Sequence, residues 1–207
     1  MKAADRRPLL LVTGFGRFPR VPRNPSALLA EAVAASPRLQ RAGIACRSLV
    51  LPTAYAAIEA TLLPEIARLA PDAVLMLGVA ARRREICIET IARNRVSRLF
   101  PDAEGRPAAS LCFRAGAPAA LHGRAASPSL LRALRSRNVP ARFSRDAGRY
   151  LCNAAYYAAL AAGGRGAGRT VFVHVPLPGP SRRPSLAEME AALVSLAFAL
   201  TRGLGAR

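Results

Sequence analysis

A cysteine and a histidine stand in settings that suit nucleophilic catalysis. Cys152 opens a run of helix-forming residues, and His174 closes a short apolar run that begins at Val171 and is typical of a strand. The positive end of a helix macrodipole favours a thiolate in the first turn. A nucleophile at a helix start and a base at a strand end together predict a Cys–His pair.

Each of these residues also has a simpler interpretation. Cys152 suits a buried core thiol, and His174 suits a hydrogen-bonded core histidine. The chain has only two histidines, and the other, His122, lies in a loop rich in Gly and Arg. If the chain is a Cys–His enzyme, His174 is therefore the expected base.

Glu89 is the candidate for a third member, which would hold the imidazole in its productive tautomer. It stands in an otherwise apolar run, where an unpaired carboxylate is costly. The alternative is a salt-bridged structural glutamate, because arginines occupy positions 82, 83, 84 and 93. Spacing alone does not decide between the two.

The composition predicts a single α/β domain over residues 1–207, with 52% hydrophobic residues to form its core. The net charge is +19, from 31 Lys and Arg against 12 Asp and Glu. The arginines are spread along the chain and form no single basic helix face, so a nucleic-acid partner is not expected. Weak electrostatic attraction to polyanions is expected regardless.

The chain is expected to be cytoplasmic and to need no metal or cofactor. It has no apolar run of 18 residues to cross a membrane, and the apolar run 9–12 is too short for a signal peptide. Its four cysteines show no metal-ligand spacing, and with only two histidines a zinc site is not expected. Cys46, Cys87 and Cys112 are expected to be small core residues.

Strands and helices alternate along the chain. Strands are expected at 9–12, 44–51, 73–77, 86–92, 119–122, 141–144 and the apolar run ending at His174. Helices are expected after caps at Asn24, Thr53, Ser127 and Ser185, with a kink at Pro64, and from Cys152 onward.

This alternation favours a three-layer α/β/α sandwich with a twisted, largely parallel central sheet. Sites in such folds lie at the carboxyl ends of strands. Segments 14–23 and 78–85, the start of the Cys152 helix and His174 all follow predicted strands, so we expect them to converge.

Five short motifs resemble those of the pyroglutamyl peptidase I family, also called pyrrolidone carboxyl peptidases. The opening motif is Thr13-Gly14-Phe15-Gly16-Arg17-Phe18 followed by Asn24-Pro25-Ser26. The others are Gly78, Ala80, Arg83, Ile86, Glu89 and Asn94; Pro101, Asp102, Gly105 and Pro107; Ala147, Gly148, Tyr150, Leu151, Cys152 and Asn153; and His174-Val175-Pro176. The resemblance spans nearly the whole chain.

The resemblance implies a cysteine peptidase that removes an N-terminal pyroglutamyl residue from peptides with a Cys152, His174 and Glu89 triad, without a cofactor. It also implies a small apolar slot for the lactam ring, and family members are often oligomeric. The positions implied for the slot are Phe15, Phe18, Asn24, Val79, Phe100, Tyr150 and Leu151.

The chain differs from the family pattern at several positions. These positions lie in the expected pocket and not in the triad. Val79 replaces a glutamine of the family pattern, Ala81-Arg82 replaces two glycines, and Leu99 replaces an arginine, although Arg98 is adjacent. Two alternatives therefore stay open: a paralogue that acts on another N-terminal group, and a catalytically idle basic binding protein.

Overall fold

The computed structural model describes residues 7–18, 21–179 and 183–204. Pro19 of the predicted loop and Pro180 of the turn after His174 lie outside these residues. The strands are β1 (Leu9–Phe15), β2 (Ala45–Leu51), β3 (Ala73–Val79), β4 (Ile86–Glu89), β5 (Ile91–Arg93), β6 (Ala120–His122), β7 (Ala141–Ser144) and β8 (Thr170–Val175). The helices are α1 (Pro25–Ala34), α2 (Pro37–Arg41), α3 (Leu63–Leu69), α4 (Pro128–Arg135), α5 (Leu151–Ala161) and α6 (Leu186–Thr201).

The main sheet has six strands in the order β2-β1-β3-β8-β4-β7. β2, β1, β3 and β8 run parallel, whereas β4 is antiparallel to β8 and parallel to β7. The predicted largely parallel sheet is therefore confirmed, with β4 and β7 running against the rest. β5 and β6 form a separate two-stranded sheet.

Helices cover both faces of the main sheet, because its inner strands are apolar on both sides. One core lies between the sheet and α1, α4 and α6, and includes Leu29, Leu134 and Leu193. The other lies between the sheet and α3 and α5, and includes Tyr156 and Phe172. Among the described residues, no helix is long and apolar enough to cross a membrane.

The expected strand 86–92 is wrong as a single element. β4 ends at Glu89 and β5 begins at Ile91, and the two belong to different sheets. Between them, Thr90 donates its backbone N–H to the Ser144 carbonyl over 2.8 Å and its hydroxyl to the same oxygen over 3.0 Å. Both bonds keep Thr90 on β7, and the chain leaves the main sheet after this residue, where the Thr90 carbonyl accepts the Gly123 N–H over 2.9 Å.

The segment before α3 has the expected interruption at Pro64 but not the expected helix cap at Thr53. A π-helical turn (Ile58–Leu62) leads into α3, and Pro64 lies in the first turn of α3, so the interruption at this proline is confirmed. The expected Thr53 cap is wrong, because the Thr53 hydroxyl donates to the Gly16 carbonyl over 3.1 Å. The buried Asp102 accepts the Tyr55 N–H instead, over 3.1 Å.

The three cysteines other than Cys152 differ in burial more than expected. Cys87 is buried, Cys46 is half-buried and Cys112 is exposed, so the expected core position is wrong for Cys112. Burial raises the pKa of Cys46 to about 11, which leaves its thiol neutral at physiological pH.

Candidate active site

Strand alternation points His174 and Glu89 to the same side of the sheet. On β8, Val171 and Val173 face the core under α1, α4 and α6, so Phe172 and His174 face α5. On β4, Ile86 and Ile88 face that first core, which directs Glu89 toward α5 as well. In the antiparallel β4–β8 pair Glu89 lies opposite Phe172, diagonally next to His174.

Gly78 lets the first turn of α5 approach the sheet beside His174. Gly78 on β3 is paired with His174 on β8. A β-carbon on Gly78 would lie 2.8 Å from Cys152 Sγ and 2.7 Å from the Phe172 ring, closer than van der Waals contact allows. The absence of a side chain on Gly78 therefore leaves room for the Cys152 sulfur beside β3.

His174 and Glu89 form a buried pair. His174 Nδ1 lies 2.7 Å from Glu89 Oε1, and the side chains are 6% and 0% exposed. The Phe172 ring packs against the imidazole, with centroids 4.9 Å apart. Glu89 thus occupies the position from which it can fix the tautomer and orientation of the ring.

Arg83 shares the same carboxylate oxygen. Its Nη1 lies 2.6 Å from Glu89 Oε1, and its Nη2 donates to the Asp146 carbonyl over 2.6 Å. Glu89 Oε2 is buried with no hydrogen-bond partner among the described residues. Both interpretations of Glu89 from the sequence therefore apply: it is salt-bridged, and it also contacts the histidine.

The pKa values of the pair move in opposite directions. Burial opposes ionisation of His174, but its interactions with Cys152 and Glu89 outweigh this and raise its pKa to about 9. Burial also opposes ionisation of Glu89, yet the hydrogen-bonded His174, the nearby Ser144 hydroxyl and Arg83 lower its pKa. Near neutral pH, His174 is therefore favoured as an imidazolium next to the Cys152 sulfur, and Glu89 as a carboxylate on the other side of the ring.

Local hydrogen bonds hold the start of α5. Gly148 adopts φ +80°, which glycine tolerates, and its N–H donates to the Asp146 carboxylate over 3.0 Å. The buried Asn153 accepts the Arg93 N–H over 2.8 Å and donates to the Arg93 and Arg95 carbonyls over 2.7 and 2.9 Å. These bonds fix Cys152 between the loop that contains Asp146 and Gly148 and the segment that follows β4.

A cleft of about 240 Å³ opens onto these groups. Two of the expected pocket residues, Val79 and Tyr150, line it together with Ala80, Arg83, Asp146, Ala147, Gly148, Cys152 and His174. The Tyr150 ring meets Phe18 and Tyr55 edge-on, with centroids 5.9 and 5.8 Å apart. Its hydroxyl donates to the Pro101 carbonyl over 2.9 Å.

The other expected pocket residues lie elsewhere. Phe15 and Leu151 are buried in the core shared with α5. Asn24 caps α1 by accepting the Ser26 N–H over 3.1 Å, and donates to the Gly16 carbonyl over 2.9 Å. Phe100 is 61% exposed and does not line the cleft.

Sequence reasoning gave no role to Asp146 and did not single out Arg83 among the arginines near Glu89, although both line the cleft. Arg83 was one of three consecutive arginines, and only the fold distinguishes the one that reaches Glu89. Arg98 is exposed beside Leu99 and does not line the cleft, so it does not supply the arginine that Leu99 replaces. Among the described residues, no group of three or more His, Cys, Asp or Glu could hold a metal ion.

Comparison with known proteins identifies the family. The pyroglutamyl peptidase family model matches residues 9–191. The chain belongs to the pyroglutamyl peptidase family. It is 36% identical over 191 residues to pyrrolidone-carboxylate peptidase 1 of Ralstonia nicotianae, covering 87% of this chain and 86% of that protein. It is also 36% identical over 152 residues to the pyrrolidone-carboxylate peptidase of Thermococcus kodakarensis, covering 73% and 71%.

Solved structures agree with this assignment. The pyrrolidone carboxyl peptidase of Thermus thermophilus superimposes with a TM-score of 0.81 at 31% identity, covering 92% of this chain and 98% of that one. Pyroglutamyl peptidase I of Bacillus amyloliquefaciens superimposes with a TM-score of 0.84 at 25% identity, covering 95% and 96%. This member of the family is a hydrolase of the cysteine peptidase class.

Proposed function

We propose that this peptidase removes an N-terminal pyroglutamyl residue from peptides, with Cys152 as nucleophile, His174 as general acid and base, and Glu89 as the group that orients His174. The observation that carries the proposal is the buried His174, held by Glu89 on one side and next to the Cys152 sulfur on the other, at the base of a small cleft. Family membership supports the substrate class.

Acylation follows from this geometry. The Cys152 thiolate attacks the pyroglutamyl carbonyl, and the new S–C bond turns that oxygen into an oxyanion. Tyr150, the residue before α5, offers no side-chain acceptor to the first turn of the helix. The free N–H groups of that turn, including the one of Cys152, are therefore available to the oxyanion.

His174 completes the cycle by moving one proton. As an imidazolium it gives its proton to the departing amine when the C–N bond breaks, which leaves a thioester on Cys152. The neutral ring then takes a proton from water as the hydroxyl attacks the thioester. Breakdown releases free pyroglutamate and restores the thiolate–imidazolium pair.

Arg83 and Glu89 act on His174, whose tautomer and charge they set, and not on the substrate itself. The carboxylate keeps Nδ1 protonated, so the other ring nitrogen faces the sulfur and the substrate. Arg83 holds the carboxylate ionised in a buried place where it would otherwise cost free energy. Its second bond, to the Asp146 carbonyl, ties this charge to the loop that forms the cleft wall.

The cleft suits a compact neutral ring. Val79 and Tyr150 supply walls, and Phe18 supports Tyr150 from behind. Phe15, Asn24 and Leu151 contribute by shaping the backbone around the cleft, and Phe100 lies outside its lining. A charged amino terminus is disfavoured, because it would lose its hydration in this small cleft, where Arg83 and the His174 imidazolium already carry positive charge.

The setting of the enzyme is part of the same proposal. A cytoplasmic location would keep Cys152 reduced, as a thiolate mechanism requires. A homo-oligomer is also proposed from the family resemblance, and size-exclusion chromatography with light scattering would test it.

A fluorogenic pyroglutamyl amide tests the function. Cys152→Ala is expected to remove turnover, while Cys112→Ser, which alters an exposed thiol outside the cleft, is expected to keep it. Intact-protein mass spectrometry of the rapidly quenched wild type should show a pyroglutamyl adduct on Cys152. Full turnover by a folded Cys152→Ala variant would overturn the proposal, as would preference for a prolyl or alanyl amide over the pyroglutamyl one.

A further inference from the structure

A second, larger cavity lies on the other side of the sheet from Cys152. It measures about 620 Å³ and opens between α2, α4 and α6. Six of its lining residues matter below: Arg38, Arg132, Arg137, Arg202, Ser195 and Phe198. We call it the arginine pocket. α4 and α6 cover the face of the sheet opposite α5, so the pocket is separate from the peptidase cleft.

Two guanidinium groups converge on one hydroxyl in this pocket. Arg38 Nη1 donates to Ser195 Oγ over 3.1 Å, and Arg137 Nε donates to the same oxygen over 2.9 Å. The two nitrogens therefore lie no more than 6.0 Å apart. Ser195 is 7% exposed, and its own proton is committed to the Ala191 carbonyl over 3.1 Å, which fixes the oxygen that both arginines face.

The positive charges of the pocket have no neutralising partner in the described residues. No Asp or Glu lines the cavity. None of its four arginines makes an ion pair with a described carboxylate, although seven other arginines do so within the described part of the chain. Arginine stays protonated at any physiological pH, so this repulsion is not relieved by loss of a proton.

Helix capping accounts for only part of this arrangement. Arg132, Arg137 and Arg202 lie near the ends of α4 and α6, where positive charge is favourable. However, the last carbonyls at the end of α6 are already met by Arg169, which donates to Leu200 and Arg202 over 2.9 and 3.0 Å. Capping also gives no reason for Arg38 and Arg137 to meet at Ser195.

We propose that the arginine pocket binds an anion that carries a diphosphate group. A guanidinium fork matches phosphate oxygens in shape and charge, and a diphosphate has enough oxygens to engage four arginines at once. The volume is in the range of pockets that hold small organic ligands. The Arg38 guanidinium lies over the Phe198 ring, with its Cζ 5.2 Å from the ring centroid, so this ring helps to position Arg38. Phe198 is 36% exposed, and its exposed part lies beside the charges, so both inorganic pyrophosphate and the diphosphate of a nucleotide suit the site.

Isothermal titration calorimetry on the full chain tests this inference at constant ionic strength, with sodium chloride matched in every buffer. Pyrophosphate is expected to bind the wild type, and the Arg38→Gln/Arg137→Gln variant to bind it about tenfold or more weakly, since each lost bond to a charged group is worth about one factor of ten. The matched control is Arg7→Gln/Arg47→Gln, which removes the same charge from two exposed arginines outside the pocket. Its dissociation constant is expected to stay within about twofold, because long-range charge effects are screened by salt.

A second variant separates binding from folding. The side chains of Arg132 and Arg202 make no hydrogen bond to a described residue, so Arg132→Gln/Arg202→Gln leaves the contacts of Ser195 intact and should still weaken pyrophosphate binding. Pyroglutamyl amide turnover should be unchanged in all three double variants, which reports that they are folded. The inference does not depend on the peptidase assignment, because circular dichroism gives the same report if turnover is absent.

The choice of ligand distinguishes the sources of the diphosphate. ADP that binds like pyrophosphate indicates that the diphosphate alone is read, and tighter ADP indicates use of the Phe198 surface. Adenosine is expected not to bind. Equal pyrophosphate affinity in the wild type and both pocket variants would overturn the proposal, and so would the absence of any binding heat or thermal shift in the wild type.

Discussion

The sulfur of Cys152 lies 2.8 Å from the position that a β-carbon on Gly78 would take. We therefore expect Gly78→Ala to displace the thiol from His174, because α5 cannot keep its place against a methyl group. A displacement of this kind costs about a hundredfold in kcat. Steady-state kinetics on a pyroglutamyl amide measures it.

Gly168→Ala is the matched control for this variant. A β-carbon there meets no heavy atom within 4 Å. It is expected to retain wild-type kcat and a wild-type melting temperature. If Gly78→Ala kept full kcat, contact between this glycine and the sulfur would have no bearing on catalysis.

Arg83 is expected to act as a positioning residue for Glu89. Because Arg83 helps to lower the Glu89 pKa, Arg83→Gln should raise it and move the acid limb of kcat/KM to higher pH. Loss of the bond should also reduce kcat about ten- to a hundredfold. Arg83→Lys should fall in between, since a single ammonium cannot hold Glu89 and the Asp146 carbonyl in the same fork geometry.

Arg84→Gln controls for the change in net charge. Arg84 is the neighbouring residue, is exposed and does not line the cleft. It should leave both kcat and the acid limb in place. A purely structural role for Arg83 would lower stability without shifting the pH profile, and that outcome would contradict the positioning role.

The ionisation of His174 can be read directly, because the chain has only two histidines. Nuclear magnetic resonance of the imidazole Cε1–H groups should show His174 titrating at about 9. Glu89→Gln removes an interaction that raises this pKa, so the midpoint should fall. His122→Asn assigns the second signal. A His174 midpoint near 6.5 in the wild type would contradict the proposed imidazolium.

The same ionisation predicts a dependence of stability on pH. His174 has a folded-state pKa raised from 6.5 to about 9, so its protonation adds stability that is fully present below 6.5. This contribution is lost as the pH rises through about 9. Urea unfolding of the wild type and His174→Asn should show a difference in unfolding free energy that shrinks between pH 6 and pH 10; a constant difference would count against it.

Tyr150 is expected to act through its ring rather than its hydroxyl. Tyr150→Phe loses one hydrogen bond to Pro101 and should cost about 1 kcal/mol of stability with a small change in KM. Tyr150→Ala removes a cleft wall and the contacts with Phe18 and Tyr55, so KM should rise severalfold. Equal KM values for the two variants would exclude the ring as a wall of the substrate site.

Local patterns predicted much of the fold because they depend on neighbours in the chain. The apolar runs marked the strands, the Asn24-Pro25-Ser26 start of α1 is present, and the capping box at Ser185 and Glu188 begins α6. Errors occurred where a distant residue competes for a backbone group. The Thr90 carbonyl accepts the N–H of the distant Gly123 where the chain passes to the second sheet, and Asp102 takes the capping position expected of Thr53.

The pocket was less predictable than the Cys152, His174 and Glu89 set. Val79 and Tyr150 line the cleft, but Asn24 uses its amide on α1 and Gly16. A sequence shows that a residue is aromatic or polar, and not which cavity it faces. That direction depends on how β1, β3 and α5 pack together.

The sequence by itself determined the family motifs, the alternation of strands and helices, and the presence of one cysteine, one histidine and one glutamate in suitable local settings. These are properties of short segments and their order. Only the tertiary structure decided that β4 runs antiparallel to β8, which brings Glu89 to His174, and that Arg83 among three arginines reaches the same oxygen. Such contacts join residues far apart in the chain, so the packing of the whole sheet sets them.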